Sequence, residues 1–327
     1  MKGKKMKKII SIISGLAISM GLHAQTVNLR LAHEFPVAHP FSQGLEVAVK
    51  HINDNSKGSL RIQLLPASQL GSGREIVQQI SSGSIDMGFS GAAMLGNWHR
   101  PIGIFEAPFI ARDWENWQSM FNSPVGLSIQ RELEIKANIK RLGNAWYGGQ
   151  RHFTTRNKPV YKPEDLKDMK IRVPEVPVFL DMIRSIGARP TPMPLAEVYL
   201  ALQTGVIDGQ ENPLPTINGA KLQEVQKYIA LTGHVISGLF PITNTASWAK
   251  LSDEHRKLIL QGLAIGAEYS NKILFGQEIS LIDEFKSKGV VFTNPDKAAF
   301  AKAMETVYAK NETVWGVGVL TQLQNSK

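Results

Sequence analysis

The chain has 327 residues, 43% of them apolar, and no cysteine. That length can bury sizeable cores and implies about two domains, while the missing cysteines exclude disulfides and thiolate chemistry. The net charge of +9 does not mark a nucleic-acid binder, because the basic residues are dispersed among acidic ones instead of clustering with aromatics. Five of those charges are Lys2, Lys4, Lys5, Lys7 and Lys8, ahead of an apolar run from Ile9 to Leu22, and without them the net charge is +4. A basic segment, an apolar segment and a small residue at Ala24 predict a signal peptide over residues 1–24. The apolar run falls short of the ~18–20 residues that cross a bilayer, and no later stretch is long and apolar enough to do so. No cysteine follows the cut to carry a lipid, so the mature chain is expected to be exported, soluble and untethered.

Val27 to Ala32 alternates apolar and polar residues and predicts a first strand, followed by a loop with His33, Glu34 and His39 and a helix from Phe41 to Asn53. Arg61 to Leu65 is a second strand. Gly71-Ser72-Gly73 opens a helix over Arg74 to Ile80 whose N-terminus suits an anion, although Ile76 stands where a dinucleotide fingerprint needs its third glycine. Ile85, Met87 and Phe89 form a third strand ending at Ser90-Gly91-Ala92. This β-α-β-α-β order predicts a mainly parallel sheet flanked by helices, with ligands beyond the carboxyl ends of its strands. Trp114 to Glu134 reads as helix and Ile139 to Tyr147 as a strand, with Gly148-Gly149 as the crossing point to a second unit. There a short strand around Arg172, a helix from Val178 to Ile186 and a strand near Thr191 precede a helix from Leu195 to Leu202, stopped by Gly205. Tyr228 to Leu231 and Ile242 to Trp248 read as strands returning to the first unit. Asp253 and Glu254 open a long helix reaching Lys288, which Gly262, Gly266 or Gly276 is expected to bend; a strand over Val290 to Phe292 and a helix starting at Asn294-Pro295 finish the chain.

The second unit carries the chemistry. In Met169-Lys170-Ile171-Arg172-Val173-Pro174, alternation puts Lys170 and Arg172 on one face and Ile171 and Val173 on the other. An arginine at the end of a strand, before a proline, is placed to grip a carboxylate through two parallel hydrogen bonds; a surface arginine that merely follows the alternation is the plainer alternative. The surrounding wording is more specific: Arg151 with Thr154, Pro163-Glu164-Asp165-Leu166-Lys167, Gly187-Ala188, Pro192-Met193, Glu197-Val198-Tyr199, Leu202-Gln203-Thr204-Gly205 and Asp208-Gly209-Gln210-Glu211-Asn212-Pro213. In this order, over about 60 residues, the phrases resemble the substrate-binding proteins of TRAP transporters, the DctP family. The likeness extends more weakly over nearly the whole mature chain. One departure is Asp168-Met169, where members commonly have Gly-Leu.

The resemblance implies a periplasmic, monomeric receptor of α/β class with the two-lobed periplasmic binding protein fold. Each lobe would be a mainly parallel sheet flanked by helices, and a long helix would span both. Lobe I is expected over 25–148 plus about 238–277, and lobe II over 149–237 plus about 278–327. It implies a small-molecule carboxylate as ligand and the small and large membrane subunits of a TRAP permease as partners. Arg172 and Arg151 would hold the carboxylate, Asn212 would reach it or a neighbouring hydroxyl, and two guanidiniums in an empty cleft would repel each other. His33, Glu34 and Ser90 are further candidates for ligand hydroxyls, which favours a uronate or aldonate over a C4-dicarboxylate or 2-oxo acid.

Leu195 stands where some sugar-acid receptors carry an aromatic, and Gly91 where sialic-acid receptors carry a glutamate, which argues against sialic acid. Receptors that hold a metal beside the ligand show a Glu-Trp phrase where this chain has Gln210-Glu211-Asn212-Pro213, so no metal and no cofactor is expected. The remaining histidines, His39, His51, His99, His152, His234 and His255, are ordinary surface or core residues, and His33 and His39, six apart with Pro36 between them, have no metal-ligand spacing. Gly88-Phe89-Ser90-Gly91-Ala92 lacks the last glycine of a nucleophile elbow and has no evident His/Asp partners. A periplasmic hydrolase is therefore the weakest alternative, behind a signalling receptor domain on the same fold.

Overall fold

A computed structural model describes residues 26–326; the expected signal peptide lies outside the described residues. The eleven strands are β1 (Val27–Ala32), β2 (Leu60–Leu65), β3 (Met87–Gly91), β4 (Ile139–Arg141), β5 (Trp146–Thr155), β6 (Lys170–Val173), β7 (Arg189–Pro192), β8 (Gly209–Pro213), β9 (Tyr228–Ala230), β10 (Ile236–Asn244) and β11 (Val291–Thr293). They form one continuous mixed sheet in the order β2-β1-β3-β10-β5-β8-β6-β7, with β4 on β10, β9 on β5 and β11 on β9. β1 runs parallel to β2 and β3, and β6 runs parallel to β7 and β8. Both parallel sets point their carboxyl ends at the middle of the molecule, where ligands of such sheets bind.

The join is β5. Its first residues, Trp146 to Gln150, pair with β10, and Arg151 to Thr155 pair with β8. Gly148-Gly149 lies just before this handover, still paired with β10, with Gly149 opposite Ser237 and a register irregularity beside it. Gly149 has φ 95°, and a Cβ there would sit 3.0 Å from Pro213 Cβ, so the crossing needs glycine on two counts.

Helix boundaries follow local chemistry. The helix Gly73–Ser82 has a reciprocal cap between Ser72 and Glu75 and ends at left-handed Gly83. The expected helix over Trp114 to Glu134 is two helices, Trp114–Asn122 and Pro124–Ala137. Ser123 ends one and caps the next through Gly126 N–H, because proline suits a first helical turn and not an interior. The expected strand over Ile242 to Trp248 begins earlier and stops at Asn244, whose side chain accepts from Ala246 and Ser247 and starts the helix Thr245–Ala249. β9 stays with β5 and β11 in the second half; only β10 returns to the first. The last long helix, Lys297–Trp315, is capped by Asp296 instead of Asn294.

The long helix Asp253–Ser287 has 35 residues, about 52 Å at the standard rise, and none of its glycines interrupts it. Gly262 and Gly266 are buried against the helix Pro40–Asn55, where a Cβ on Gly44 would stand 2.7 Å from Gly266 O; Gly276 faces open space. The glycines let two backbones approach. Further along, Asn271 Oδ1 accepts from Tyr147 N–H (2.9 Å) and Glu278 accepts from Tyr147 Oη (2.6 Å) and Gln150 N–H (2.9 Å). The helix therefore grips β5 on both sides of its glycine pair.

Candidate functional site

The carboxyl ends of β1, β3, β6 and β8, the crossing segment of β5 and the start of β10 surround one cleft. Its polar lining is Glu34, Glu106, Arg151, Arg172, Asn212, Thr216 and Ser237, and its apolar lining includes Phe35, Phe41, Phe179 and Leu195. Four of the six sequence candidates meet there: Arg172, Arg151, Asn212 and Glu34.

Arg172 is 3% exposed. Its Nε and Nη2 both donate to the Met193 carbonyl, at 3.0 and 2.7 Å, which fixes the plane of the guanidinium and leaves Nη1 out of either bond. Burial lowers its pKa to about 10, with the Glu34 charge opposing, so it is cationic at neutral pH. Arg151 differs. Its Nε and Nη2 meet the two carboxylate oxygens of Glu211 at 2.5 and 2.8 Å, and Nη2 also reaches the Glu211 carbonyl and Asn212 Oδ1. Glu211 is fully buried; burial favours its neutral form, but Arg151 and His234 outweigh it and hold the carboxyl at about pKa 2. The two guanidiniums are therefore not the unrelieved like-charge pair expected from sequence: Glu211 neutralises one of them. The ring of Phe179 backs Arg151, 4.9 Å from Cζ.

Asn212 is oriented from both ends. Its Oδ1 accepts from Arg151, and its Nδ2 donates to Gln210 Oε1 at 2.5 Å; Gln210 Nε2 in turn donates to Thr154, which donates to Gln226. The phrase Gln210-Glu211-Asn212 is thus a buried hydrogen-bond chain that immobilises the amide and Arg151.

Glu34 lies at the N-terminus of the helix Gly73–Ser82, where Gly73 N–H donates to its Oε2 at 3.3 Å. The anion position read from Gly71-Ser72-Gly73 is filled by the chain's own carboxylate. Burial raises the Glu34 pKa against the pull of Arg172.

His33 and Ser90 do not line the cleft. His33 is buried in the core, where neither ring nitrogen has a protein partner among the described residues. On β3, Gly91 reaches the cleft and Ser90, one residue before it, faces the other side of the strand.

Glu106, Phe179, Thr216 and Ser237 were not singled out from sequence. Glu106 ends the 3₁₀ turn Arg100–Glu106, and its Oε2 accepts from Ala93 N–H at 2.7 Å. Its carboxylate lies against Gly91, 3.1 Å from where a Cβ would be. A lone acid inside the apolar run Ile102 to Ile110 was the available signal. Contacts also bridge the cleft rim: Arg74 meets Glu175 at 3.4 Å, Asn97 Nδ2 donates to the Glu175 carbonyl, and His39 Nε2 pairs with Thr216 Oγ1.

Residues 31–313 match the bacterial extracellular solute-binding protein family 7, DctP. The chain belongs to this family. The chain is 33% identical over 320 residues to the sialic acid-binding periplasmic protein of Vibrio cholerae, covering 98% of this chain and 99% of the relative. It is 33% identical over 297 residues to the 2,3-diketo-L-gulonate-binding periplasmic protein of Escherichia coli, covering 89% of each. A TRAP periplasmic solute-binding protein from Roseobacter denitrificans, crystallised with L-galactonate, superposes with a TM-score of 0.85 at 30% identity over 91% of this chain and 99% of that one. This DctP-family chain is accordingly a solute-binding receptor of the TRAP type and not an enzyme. Among the described residues, no helix is long and apolar enough to cross a membrane.

Proposed function

We propose that this receptor binds a hydroxylated monocarboxylate, of the uronate or aldonate kind, in the periplasm and presents it to a TRAP permease. The ligand carboxylate sits between Arg172 and Asn212, with Arg151 holding Asn212 in place and adding its own remaining N–H. One observation carries this: Arg172 is buried at the cleft and braced by a carbonyl, with Nη1 not engaged by any protein acceptor among the described residues. A buried, braced guanidinium with a free donor is prepared for an anion and costs little reorganisation when one arrives. The L-galactonate named for the crystallised relative is an aldonate, and the sialic acid and 2,3-diketo-L-gulonate named for the other two are hydroxylated monocarboxylates as well.

In this reading the segments 25–148 plus about 238–277 and 149–237 plus about 278–327 act as two lobes hinged at Gly148-Gly149, which close over the acid and exclude water. Closure lowers the effective dielectric and strengthens the Arg–carboxylate pair. Only a ligand touched from both lobes shifts the equilibrium toward the closed form that the permease recognises. Residues 1–24 act as the export signal, and the receptor works as a monomer.

Calorimetry with a panel of uronates and aldonates tests the anchor. Arg172→Ala is expected to weaken the best ligand by about 2–5 kcal/mol, roughly thirtyfold to a few thousandfold. Wild-type affinity in that variant rules the anchor out, and a wild type that binds only neutral sugars or amino acids ends the organic-acid reading.

A further inference from the structure

We propose that Glu106, with Ser237 beside it, is the specificity-determining pole of the cleft: it accepts a ligand hydroxyl and bars a second carboxylate. The inference rests on the organic-acid reading above and adds which acids are admitted.

The charges in the cleft limit its occupant. Arg151 is neutralised by Glu211 through a two-point contact, which leaves Arg172 as the one lining guanidinium without a carboxylate partner among the described residues. One free cation matches one carboxylate. The remaining polar wall is acidic or neutral: Glu34 beside Arg172 and Glu106 on the side of Arg151, where burial raises both carboxyls and the neighbouring guanidinium opposes it. Glu106 is 4% exposed, one of its oxygens is taken by Ala93 N–H, and Oε1 accepts from no protein donor among the described residues. Ser237, 2% exposed on β10, lines the same wall. Its hydroxyl is near enough to favour ionised Glu106, yet it completes no well-formed hydrogen bond. Buried polar groups left open are costly unless something satisfies them. A hydroxyl suits both, donating to Glu106 and accepting from Ser237. A second carboxylate offers Glu106 no proton and adds like charge in a dry site, so it enters only by first protonating that glutamate.

Isothermal titration calorimetry at pH 7.5 with L-galactonate, D-galacturonate, D-erythronate and succinate tests the proposal. The wild type is expected to bind at least one hydroxylated acid, with succinate at least tenfold weaker. Glu106→Gln keeps the shape and the Ala93 contact but removes the charge; it is expected to weaken the hydroxylated acid roughly tenfold to hundredfold and to narrow the gap to succinate. If that variant does not fold, Gly91→Ala, which crowds the Glu106 carboxylate, is expected to shift selectivity the same way. Succinate within tenfold of the best hydroxylated acid, or unchanged affinity and selectivity in the variant, overturns the proposal. If Arg172→Ala still abolishes binding in that case, the organic-acid reading survives; a wild type that binds none of the four acids sinks both.

Discussion

At Asp168 the chain departs from the wording of its family and keeps a backbone that glycine would favour. The residue has φ 63°, its N–H donates to the Gly187 carbonyl, and its carboxylate meets Arg189 at 2.9 Å. Glycine adopts this left-handed conformation freely, and aspartate is among the few other residues that tolerate it. The loop before the Arg172 strand therefore makes its left-handed turn without a glycine. Asp168→Gly is expected to stay within about 0.5 kcal/mol of wild type, since the ion pair it loses is exposed. Asp168→Val, β-branched at positive φ, is expected to cost about 1–2 kcal/mol. Urea unfolding of both variants decides it; equal stability of the two would mean that backbone conformation does not govern this position.

Among the elements, the long helix carries glycines with opposite duties. Gly44 and Gly266 bring two helices to backbone contact, and a methyl on Gly44 meets Gly266 O at 2.7 Å and Trp146 at 2.8 Å. Gly44→Ala is expected to lose about 1–3 kcal/mol through overpacking, although alanine is the better helix former. A methyl added at Gly276 meets nothing within 4 Å, so Gly276→Ala is expected to gain about 0.5–1 kcal/mol from helix propensity alone. Thermal melts that move both variants in the same direction would contradict this division. Periodicity marked the helix and its ends, but the side that each glycine faces depends on a partner helix near the start of the mature chain.

For the molecule as a whole, buried histidines set the response to acid. Burial lowers His33 to about pKa 4 and His39 and His152 to about 3, from the ordinary 6.5. A base whose folded pKa is lowered binds fewer protons folded than unfolded between the two values, so its contribution is complete above pH ~6.5 and drains away as the pH falls. At pH 5 each is expected to cost on the order of 2 kcal/mol relative to pH 7. Glu211, held at about 2, adds a further loss only below pH ~4.5, as its carboxylate protonates. Unfolding free energy measured from pH 8 to 4 should therefore begin to fall near pH ~6.5, and a flat profile down to pH ~5 refutes it.

Local order along the chain was enough to determine most strands, several helix starts and the phrase pattern that placed Arg151, Arg172 and Asn212 in one family of receptors, because alternation, caps and motif spacing act over a few residues. Only the tertiary structure decided that Glu211 neutralises Arg151, that Glu34 occupies a helix terminus of its own chain, that His33 and Ser90 turn away from the cleft, and that Glu106 reaches it from a 3₁₀ turn. Those outcomes rest on charge pairing and burial between segments far apart in sequence, and such interactions exist only once the sheet has brought its strand ends together.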